Sequence, residues 1–534
     1  MILIYPPVAK ICEPPGGVAF LAGALKHHGV HCITIDANLE ALLWLGKSNC
    51  HNVHSIEDKW TRRALSHFRR NLSDLKCPGL YKNIDRYRQR VMDVNRVIST
   101  ATSERFKITL ADYHDTRLLP VKSKDLLSSA ENFMENPFYN YFEDELVKRI
   151  DHPWPNYVGL DYTESKEIAS NGIDLDDIRT DYIGISICYL SQALTGFALA
   201  GWIRTRFPQK KIIMGGGLVT SWMSFPHWKN PFGDLIDFMV KGQGEDALLD
   251  ITGVDIKGRE RSLPDFDFSD WNSYLAPYRI LPYRASTGCH WHKCRFCPER
   301  AEKSHYKPEK VSDVLSDLEI LSRRYHPGAV HFLDNSLSFS LLKSLAKRKM
   351  PFLWYGFVRF IKEFADPEFV RALYDSGCRM LKLGLESGDQ QVLDHMHKGT
   401  DLDTVSNVLT SIKNAGIASY VYLLFGTLHE TEYSAEKTLS YVAEHSDRID
   451  FINTAIFNLP RFSEDAESLE TEGFYNGDLS LYLDFIHPVG WNRKKVRTFL
   501  SKEFKKNFLV APVLRNVPPF FTSNHAMFFE RVDH

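Results

Sequence analysis

Residues 284–299 read RASTGCHWHKCRFCPE, and three cysteines, Cys289, Cys294 and Cys297, fall within nine of them in the spacing C-x4-C-x2-C. A short β-forming run (283–287) feeds into this loop, and Phe296 stands between the second and third cysteine. No other stretch of the chain gathers so many soft ligands. Thiolates this close can curl round one metal centre, and three are one fewer than a closed tetrahedral site requires. The shortfall leaves a coordination position open, which a reactive centre needs and a structural one does not. A disulfide with a spare thiol is disfavoured, because bridging within so tight a loop strains the S–S geometry. Structural zinc stays open beside an iron–sulfur cluster, since His290 or His292 could supply a fourth ligand. Against zinc, structural sites usually draw paired ligands from separated segments, and here all the ligands share one loop.

Downstream, strand and helix patterns alternate. A helix is expected over 309–324, with Val311, Val314, Leu315, Leu318 and Leu321 on one face. Strands are expected over 329–333, ending in Asp334, and over 353–358, ending in Arg359. A helix over 366–376 carries Asp366 as N-cap, Pro367 at its first position and Gly377 just past its end. The strand over 379–385 runs into Gly384-Leu385-Glu386-Ser387-Gly388, and a helix over 404–415 stops at Gly416. The strand over 419–425 leads to Gly426 and Glu430, and 449–457 supplies a last strand with Asn453. With the cysteine strand this makes six βα units. Parallel strands joined by right-handed helical crossovers curve into a barrel or partial barrel that works at its C-terminal rim. Asp334, Arg359, Glu386 and Glu430 are therefore expected to ring the mouth beside the cysteine loop. Residues 463–534 lose the repeat, carry many aromatics (Phe474, Tyr475, Tyr482, Phe485, Trp491, Phe520, Phe521) and read as a capping segment.

Upstream, residues 1–5 read as a buried strand followed by a turn-rich loop through Glu13-Pro14-Pro15-Gly16-Gly17. A helix over 18–28 closes at Gly29, and a second strand over 32–36 ends in Asp36-Ala37-Asn38. This is a β–loop–α–β unit of the doubly wound kind, in which ligands gather at strand C-termini. From 39 to 180 the rhythm gives way to a charged, helix-leaning insertion with helices expected over 58–75, 84–97 and 131–150, broken at 152–155. The α/β pattern resumes with strands over 182–188, 211–214 and 238–240, the second running into Gly215-Gly216-Gly217 and the third into Gly242-Gln243-Gly244-Glu245. The Gly215–Gly217 triplet is not a G-x-G-x-x-G fingerprint and the first turn has no such motif, which disfavours a dinucleotide. The fold class expected is α/β. A doubly wound domain (1–255, with the insertion 39–180) is followed by a linker (256–282), a partial (β/α)6 barrel (283–462) and a C-terminal cap (463–534).

The 534 residues suffice for two or three domains, and the net charge of −2 offers no electrostatic case for nucleic acid or an anionic membrane surface. Scattered single cysteines point to a reducing compartment rather than a disulfide framework. The first residues show neither a basic leader nor a long apolar span, so a cytoplasmic protein without a membrane span is expected.

Across about residues 280–460 the chain resembles the radical SAM superfamily, on the strength of the three-cysteine loop with Phe296, the run Gly384–Gly388 and the phrase Phe425-Gly426-Thr427-Leu428-His429-Glu430. The first half resembles the cobalamin-binding domain often fused ahead of that barrel, through Tyr5-Pro6-Pro7, Glu13-Pro14-Pro15-Gly16-Gly17, Asp36-Ala37-Asn38, Ile185-Ser186 and Gly215-Gly216-Gly217. Two departures stand out. The first cysteine gap holds one residue more than the family's usual C-x3-C-x2-C, and the D-x-H-x-x-G motif of many cobalamin proteins is absent, Asp112–Arg117 being the nearest approach. The resemblance implies that Cys289, Cys294 and Cys297 hold a 4Fe–4S cluster whose fourth iron is chelated by S-adenosylmethionine. It implies contacts to that cofactor from Phe296, Asp334, Arg359, Gly384, Glu386, Ser387 and Gly426. Cobalamin, without a histidine ligand, would meet Pro7, Glu13, Pro14, Pro15, Gly16, Asp36, Asn38, Ser186, Gly215, Gly216, Gly217, Gly244 and Glu245. The implied activity is methylation of an unactivated carbon of a small-molecule or peptide substrate, through a 5′-deoxyadenosyl radical and methylcobalamin. The implied partner is an external one-electron reductant of the flavodoxin or ferredoxin type. A radical rearrangement, cyclisation or ring-forming reaction on the same scaffold is the alternative, and a non-catalytic zinc scaffold a remoter one.

Overall fold

The computed structural model describes residues 1–49, 58–151, 181–256, 261–473, 476–520 and 525–528, and divides into two compact units. The expected break at 152–155 and the aromatics Phe474, Tyr475 and Phe521 lie outside the described residues. The first unit comprises Met1–Ile11, Pro15–Phe68 and Asp93–Ser273, and the second Cys12–Pro14, Arg69–Met92 and Tyr274–His534.

In the first unit short apolar runs give five parallel strands: β1 (Ile2–Ile4), β2 (Ile33–Ile35), β3 (Tyr182–Ser186), β4 (Lys211–Gly215) and β5 (Phe238–Met239). They are ordered β2-β1-β3-β4-β5. Every residue of β1 and β2 is buried, as expected of strands covered on both faces. Helix α1 (Gly16–His27) returns from β1 and is closed by Gly29 at φ +77°. Helix α2 (Ala37–Ser48) leaves β2 with Asp36 as its N-cap, the carboxylate accepting the Leu39 N–H at 3.0 Å. Helix α3 (Leu190–Arg206) follows β3. Chain order reverses between β1 and β3, and in open α/β sheets ligands sit beyond the strand ends at such a reversal.

Among its described residues the stretch 39–180 is mostly helical, with two differences from expectation. The helix expected over 58–75 is split at His67 into Lys59–Ser66 and Phe68–Asp74, and that over 131–150 starts only at Tyr139–Tyr141 and passes through a π turn at Phe142–Leu146. An unforeseen hairpin pairs Phe106–Ile108 with Tyr113–Asp115, and Arg105 clamps it through a 2.8 Å ion pair to Asp115. His114, in the nearest approach to the cobalamin histidine motif, sits in this hairpin with its side chain exposed.

The second unit is built on six parallel strands in simple sequential order: β6 (Ile280–Tyr283), β7 (Ala329–Phe332), β8 (Leu353–Val358), β9 (Cys378–Glu386), β10 (Ala418–Phe425) and β11 (Phe451–Ile456). Among the described residues β6 and β11 do not pair, so the barrel is open. Strand β6 starts earlier than expected and contains Pro282, which the sequence reading assigned to a linker. An edge strand tolerates proline because one of its sides needs no N–H donor. The helices between strands include α4 (Val311–Tyr325), α5 (Pro367–Asp375), α6 (Gln390–His395), α7 (Leu402–Ala415) and α8 (Glu432–Glu444), with shorter ones at Pro298–Ala301 and Phe339–Leu345. Alternation along β9 buries Leu381, Leu383 and Leu385 on one face and turns Lys382, Gly384 and Glu386 to the other.

After β11 come a small antiparallel sheet (Leu459–Pro460, Thr471–Gly473, Tyr482–Phe485) and the helix Arg493–Lys502. Trp491 and Arg493 reach the ends of β10 and β11, bonding Glu430 at 2.9 Å and the Phe457 carbonyl at 2.9 Å. Farther on, His525 packs on Tyr420 at 4.3 Å between ring centres. Among the described residues no helix is long and apolar enough to cross a membrane.

Candidate active site

The cysteine loop leaves the C-terminal end of β6 and is tied down at its root. Asp334, just past β7, accepts the Ala285 N–H at 3.0 Å and the Ser286 hydroxyl, and is itself buried. Burial raises its carboxyl above the ordinary range while these two donors hold it down. The following Ser286–Thr287 pairs with Lys307–Pro308, and Gly288 (φ +67°) lies so close to the His305 carbonyl that a Cβ would approach to 2.6 Å. The loop's far side is bonded to the turn after α6, Arg295 N–H reaching the Met396 carbonyl at 3.0 Å.

Cys289, Cys294 and Cys297 are all free thiols, and Cys294 is buried. Burial pushes the Cys294 thiol up, opposed by Lys398 and Arg359; burial pushes Cys297 to about 11. Metal binding at this loop would therefore release protons. Among the described residues no three His, Cys, Asp or Glu side chains converge tightly enough to hold one metal ion. A tetrahedral zinc needs its ligands within about 4 Å of one another, given Zn–S bonds of about 2.3 Å. Among the described residues neither His290 nor His292 joins the thiols in such a set.

Around the loop stands a compact charged group. Arg359, at the end of β8, places Nη1 3.9 Å from Cys294 Sγ, stacks on Trp291 at 4.4 Å and donates to the Lys398 carbonyl. Lys398 pairs with Glu386 at 2.8 Å, both largely buried, and its ammonium lies 5.5 Å from the Phe296 ring centre. Gly384 lies beneath them: a Cβ there would come within 2.5 Å of Glu386 Oε1 and 2.7 Å of Lys398 Nζ, so a side chain at this position would shift the ion pair. Phe296 also lines a small cleft with Thr427, Leu428 and Phe457, in which the buried Thr427 hydroxyl has no hydrogen-bond partner among the described residues. Gly426, at φ +80°, turns the chain there. The cleft is also bordered by Arg295, His395, His429 and Asp465.

Two residues expected at this rim are employed otherwise. Ser387 is fully buried and braces α8 through Thr438 at 3.1 Å. Glu430 lies beneath the rim rather than on it, accepting the Gly426 N–H and the Trp491 indole; burial raises its carboxyl to about 8. Conversely, Lys398 escaped the sequence reading, since a lone lysine in the phrase Met396-His397-Lys398-Gly399 gives no periodic signal. Also unforeseen is a buried network on the sheet's inner face. Lys382 meets His331 Nε2 at 2.8 Å, His331 Nδ1 meets Glu13 at 2.8 Å, and the Lys382 ammonium lies 4.3 Å from the Phe357 ring centre.

In the first unit the expected cobalamin contacts separate into two kinds. Asp36 caps α2, and the Asn38 side chain accepts the Ala9 N–H at 2.7 Å, pinning the loop after β1 that carries Pro7. Pro15 and Gly16 start α1, Gly244 packs on Leu21 and Glu245 opens a short helix. Glu13 and Pro14 count with the second unit, where Glu13 meets His331. Ser186 and Gly215–Gly217 remain as an edge at the ends of β3 and β4. Gly216, at φ +106°, lies so close to the backbone of Ile187 that a Cβ would sit 2.4 Å from its carbonyl. Glycine there lets the two strand ends meet closely, with the Ile187 N–H donating to the Gly215 carbonyl at 2.8 Å.

Residues 283–442 match the sequence profile of the radical SAM superfamily. The second unit carries a radical SAM domain. Among curated relatives, a bacteriochlorophyllide d C-12(1)-methyltransferase of Chlorobaculum tepidum is 26% identical over 200 residues, covering 35% of this chain and 42% of that protein. An uncharacterized methyltransferase of Pyrococcus horikoshii is 20% identical over 269 residues, covering 43% of this chain and 57% of that protein. The chain thus spans about two fifths to somewhat over half of these relatives. The fold is shared with TsrM of Kitasatospora setae, a radical S-adenosylmethionine methyltransferase solved with tryptophan and a SAM analogue (TM-score 0.51, 13% identity, 89% of this chain and 78% of that one). A second TsrM structure, with cobalamin and a [4Fe-4S] cluster, matches with TM-score 0.50 at 14% identity, over 92% of this chain and 84% of that one.

Proposed function

We propose that this protein is a cobalamin-dependent radical SAM enzyme that methylates an unactivated carbon of a small-molecule substrate. The observation that carries the reading is the group formed by Cys294, Arg359, Lys398 and Glu386 at the rim of the open parallel barrel. In this reading Cys289, Cys294 and Cys297 hold a 4Fe–4S cluster, and Ser186 with Gly215–Gly217 faces a cobalamin. When bound, such a cluster would supply the electron that cleaves the sulfonium C–S bond of S-adenosylmethionine, releasing methionine, and methylcobalamin would supply the methyl group.

The chain's own residues bind and orient. Arg359 and Lys398 place two cations beside the cysteine loop, which favours thiolates and attracts a carboxylate. Glu386, already held by Lys398, accepts from an ammonium. Phe296, Gly426 and Thr427 receive a purine ring, while Phe357 and Tyr422, 5.1 Å apart between ring centres, keep the inner face dry. Asp334 and Ser387 act one step back, the first holding the loop's root and the second the turn after β9. Domain limits near 255 and 283, a cytoplasmic location and an external one-electron donor belong to the same reading.

The test is anaerobic turnover of protein reconstituted with iron, sulfide and cobalamin. Equimolar S-adenosylhomocysteine, 5′-deoxyadenosine and methylated product support methyl transfer. Deoxyadenosine without S-adenosylhomocysteine replaces it with rearrangement or ring formation, and a preparation that binds neither iron nor cobalamin defeats the proposal.

A further inference from the structure

We propose that Trp291, inside the lengthened gap between the first two cysteines, is a positioning residue that holds the Arg359 guanidinium ready beside the cysteine loop. Through Arg359 it sets the affinity for the carboxylate of S-adenosylmethionine. The inference rests on the radical SAM reading and deepens it by one residue that acts through another.

The gap His290–Lys293 is anchored along its length. His290 bonds the Ser336 backbone and its ring lies 5.9 Å from that of Tyr306. His292 takes a left-handed conformation at φ +47°, and the Lys293 carbonyl accepts Arg300 Nη1 at 2.8 Å. Trp291 is half-buried between them, and its indole N–H donates to the His397 carbonyl at 3.0 Å. The ring packs against Gly399, where a Cβ would come within 2.2 Å of Trp291 Cζ2. Only glycine leaves room for the indole at that place.

The turn that receives the indole is given over to the cysteine loop and Arg359. Three successive carbonyls are taken: that of Met396 by the Arg295 N–H at 3.0 Å, that of His397 by Trp291, and that of Lys398 by Arg359. Arg359 reaches from this turn to the thiols, with Nη1 3.9 Å from Cys294 Sγ. Its guanidinium carbon lies 4.4 Å from the Trp291 ring centre, and the Lys293 ammonium lies 4.8 Å from the same centre. An aromatic face attracts a cation without using its N–H groups, so a guanidinium held this way keeps its planar fork for an anion. An arginine fixed in advance also spares a ligand the entropy of ordering it. The extra residue of the gap thus has a use: the longer loop reaches the 396–399 turn and puts a ring under the cation.

The experiment measures S-adenosylmethionine binding to the full-length protein, reconstituted with iron and sulfide, by anaerobic equilibrium dialysis. The rate of deoxyadenosine formation is followed alongside. Trp291→Ala should raise both Kd and KM for S-adenosylmethionine about tenfold, while kcat, iron content and Tm stay near wild type. Trp291→Phe, which keeps a ring face, should recover most of the loss. Gly399→Ala leaves both partners in the chain but crowds the indole, and should weaken binding in the same way. In an Arg359→Met background, Trp291→Ala should change Kd by less than about twofold, because its effect passes through the guanidinium. A tenfold loss that persists in that background overturns the proposal, as does wild-type affinity in both Trp291→Ala and Gly399→Ala. A fall in iron content that matches the fall in binding assigns Trp291 to the folding of the loop and overturns it too. Wild-type protein that carries about four irons yet binds no S-adenosylmethionine defeats the radical SAM reading itself, and this proposal with it.

Discussion

The two parallel sheets of this protein prepare for ligands in opposite ways. In the second unit the strand ends carry charge: Arg359, Glu386 and Lys398 bond one another beside the cysteine loop. In the first, the polar residues at the strand ends are committed to the fold, Asp36 as a cap and Asn38 as a loop pin, and the neighbouring strand ends in glycine at Gly215–Gly217. Under the proposed function one sheet would read a ligand by charge and soft donors, the other by shape. A small ionic cofactor needs the first kind of site; a large flat one, gripped over a wide area, needs the second.

The sharpest way to break this contrast is Cys294→Ala. Iron content should fall from about four per chain to near zero and deoxyadenosine formation by more than about 100-fold, with cobalamin uptake unaffected. Retained iron and turnover would falsify the cluster assignment. The mirror experiment is Gly216→Val, which places a branched side chain at φ +106° against the Ile187 carbonyl. We expect cobalamin binding to be lost and the first unit destabilised by about 3 kcal/mol, while iron content stays at the wild-type level; loss of iron alongside cobalamin would erase the distinction.

Within the second unit, Glu13→Ala removes the carboxylate from the Glu13–His331–Lys382 network. Breaking a buried charged network costs about 3 kcal/mol, read as a lowered Tm, and Glu13→Gln should recover part of it. The gentlest probe is pH. Glu430 holds its proton up to about pH 8 in the folded state, against an ordinary value of 4.5, so the native protein binds more protons than the unfolded chain between those limits. Its contribution to stability is present in full at acid pH and is lost as pH rises through that window, at up to about 1.4 kcal/mol per pH unit. Thermal melts at pH 6 and pH 8 should therefore converge in Glu430→Gln relative to wild type.

Much of the second unit was legible because its signals are local. Asp366 before Pro367, Gly377 and Gly416 at left-handed helix ends, and apolar faces at helical spacing fix helices within a residue or two. The cysteine loop announces itself by spacing. What escaped was set by distance or by permission. Glu13 and His331 stand 318 residues apart, so no window joins them. Pro282 reads as a breaker until the strand is known to be an edge. The hairpin at 106–115 is short and half polar, with no tight-turn glycine to mark it. Glu430 carries a charge in the sequence but lies where a charge is costly, and only packing reveals that it is held protonated.

The membership of Cys12–Pro14 and Arg69–Met92 in the second unit bears on any attempt to treat the halves as interchangeable parts. Tyr81 and Tyr87, from the second of these segments, clasp Phe528 near the far terminus at 4.8 and 4.7 Å between ring centres. A fragment beginning at residue 256, or a chimera joined there, would leave behind two pieces of its own interior. Recombination between relatives should succeed only where the donor brings those early segments along.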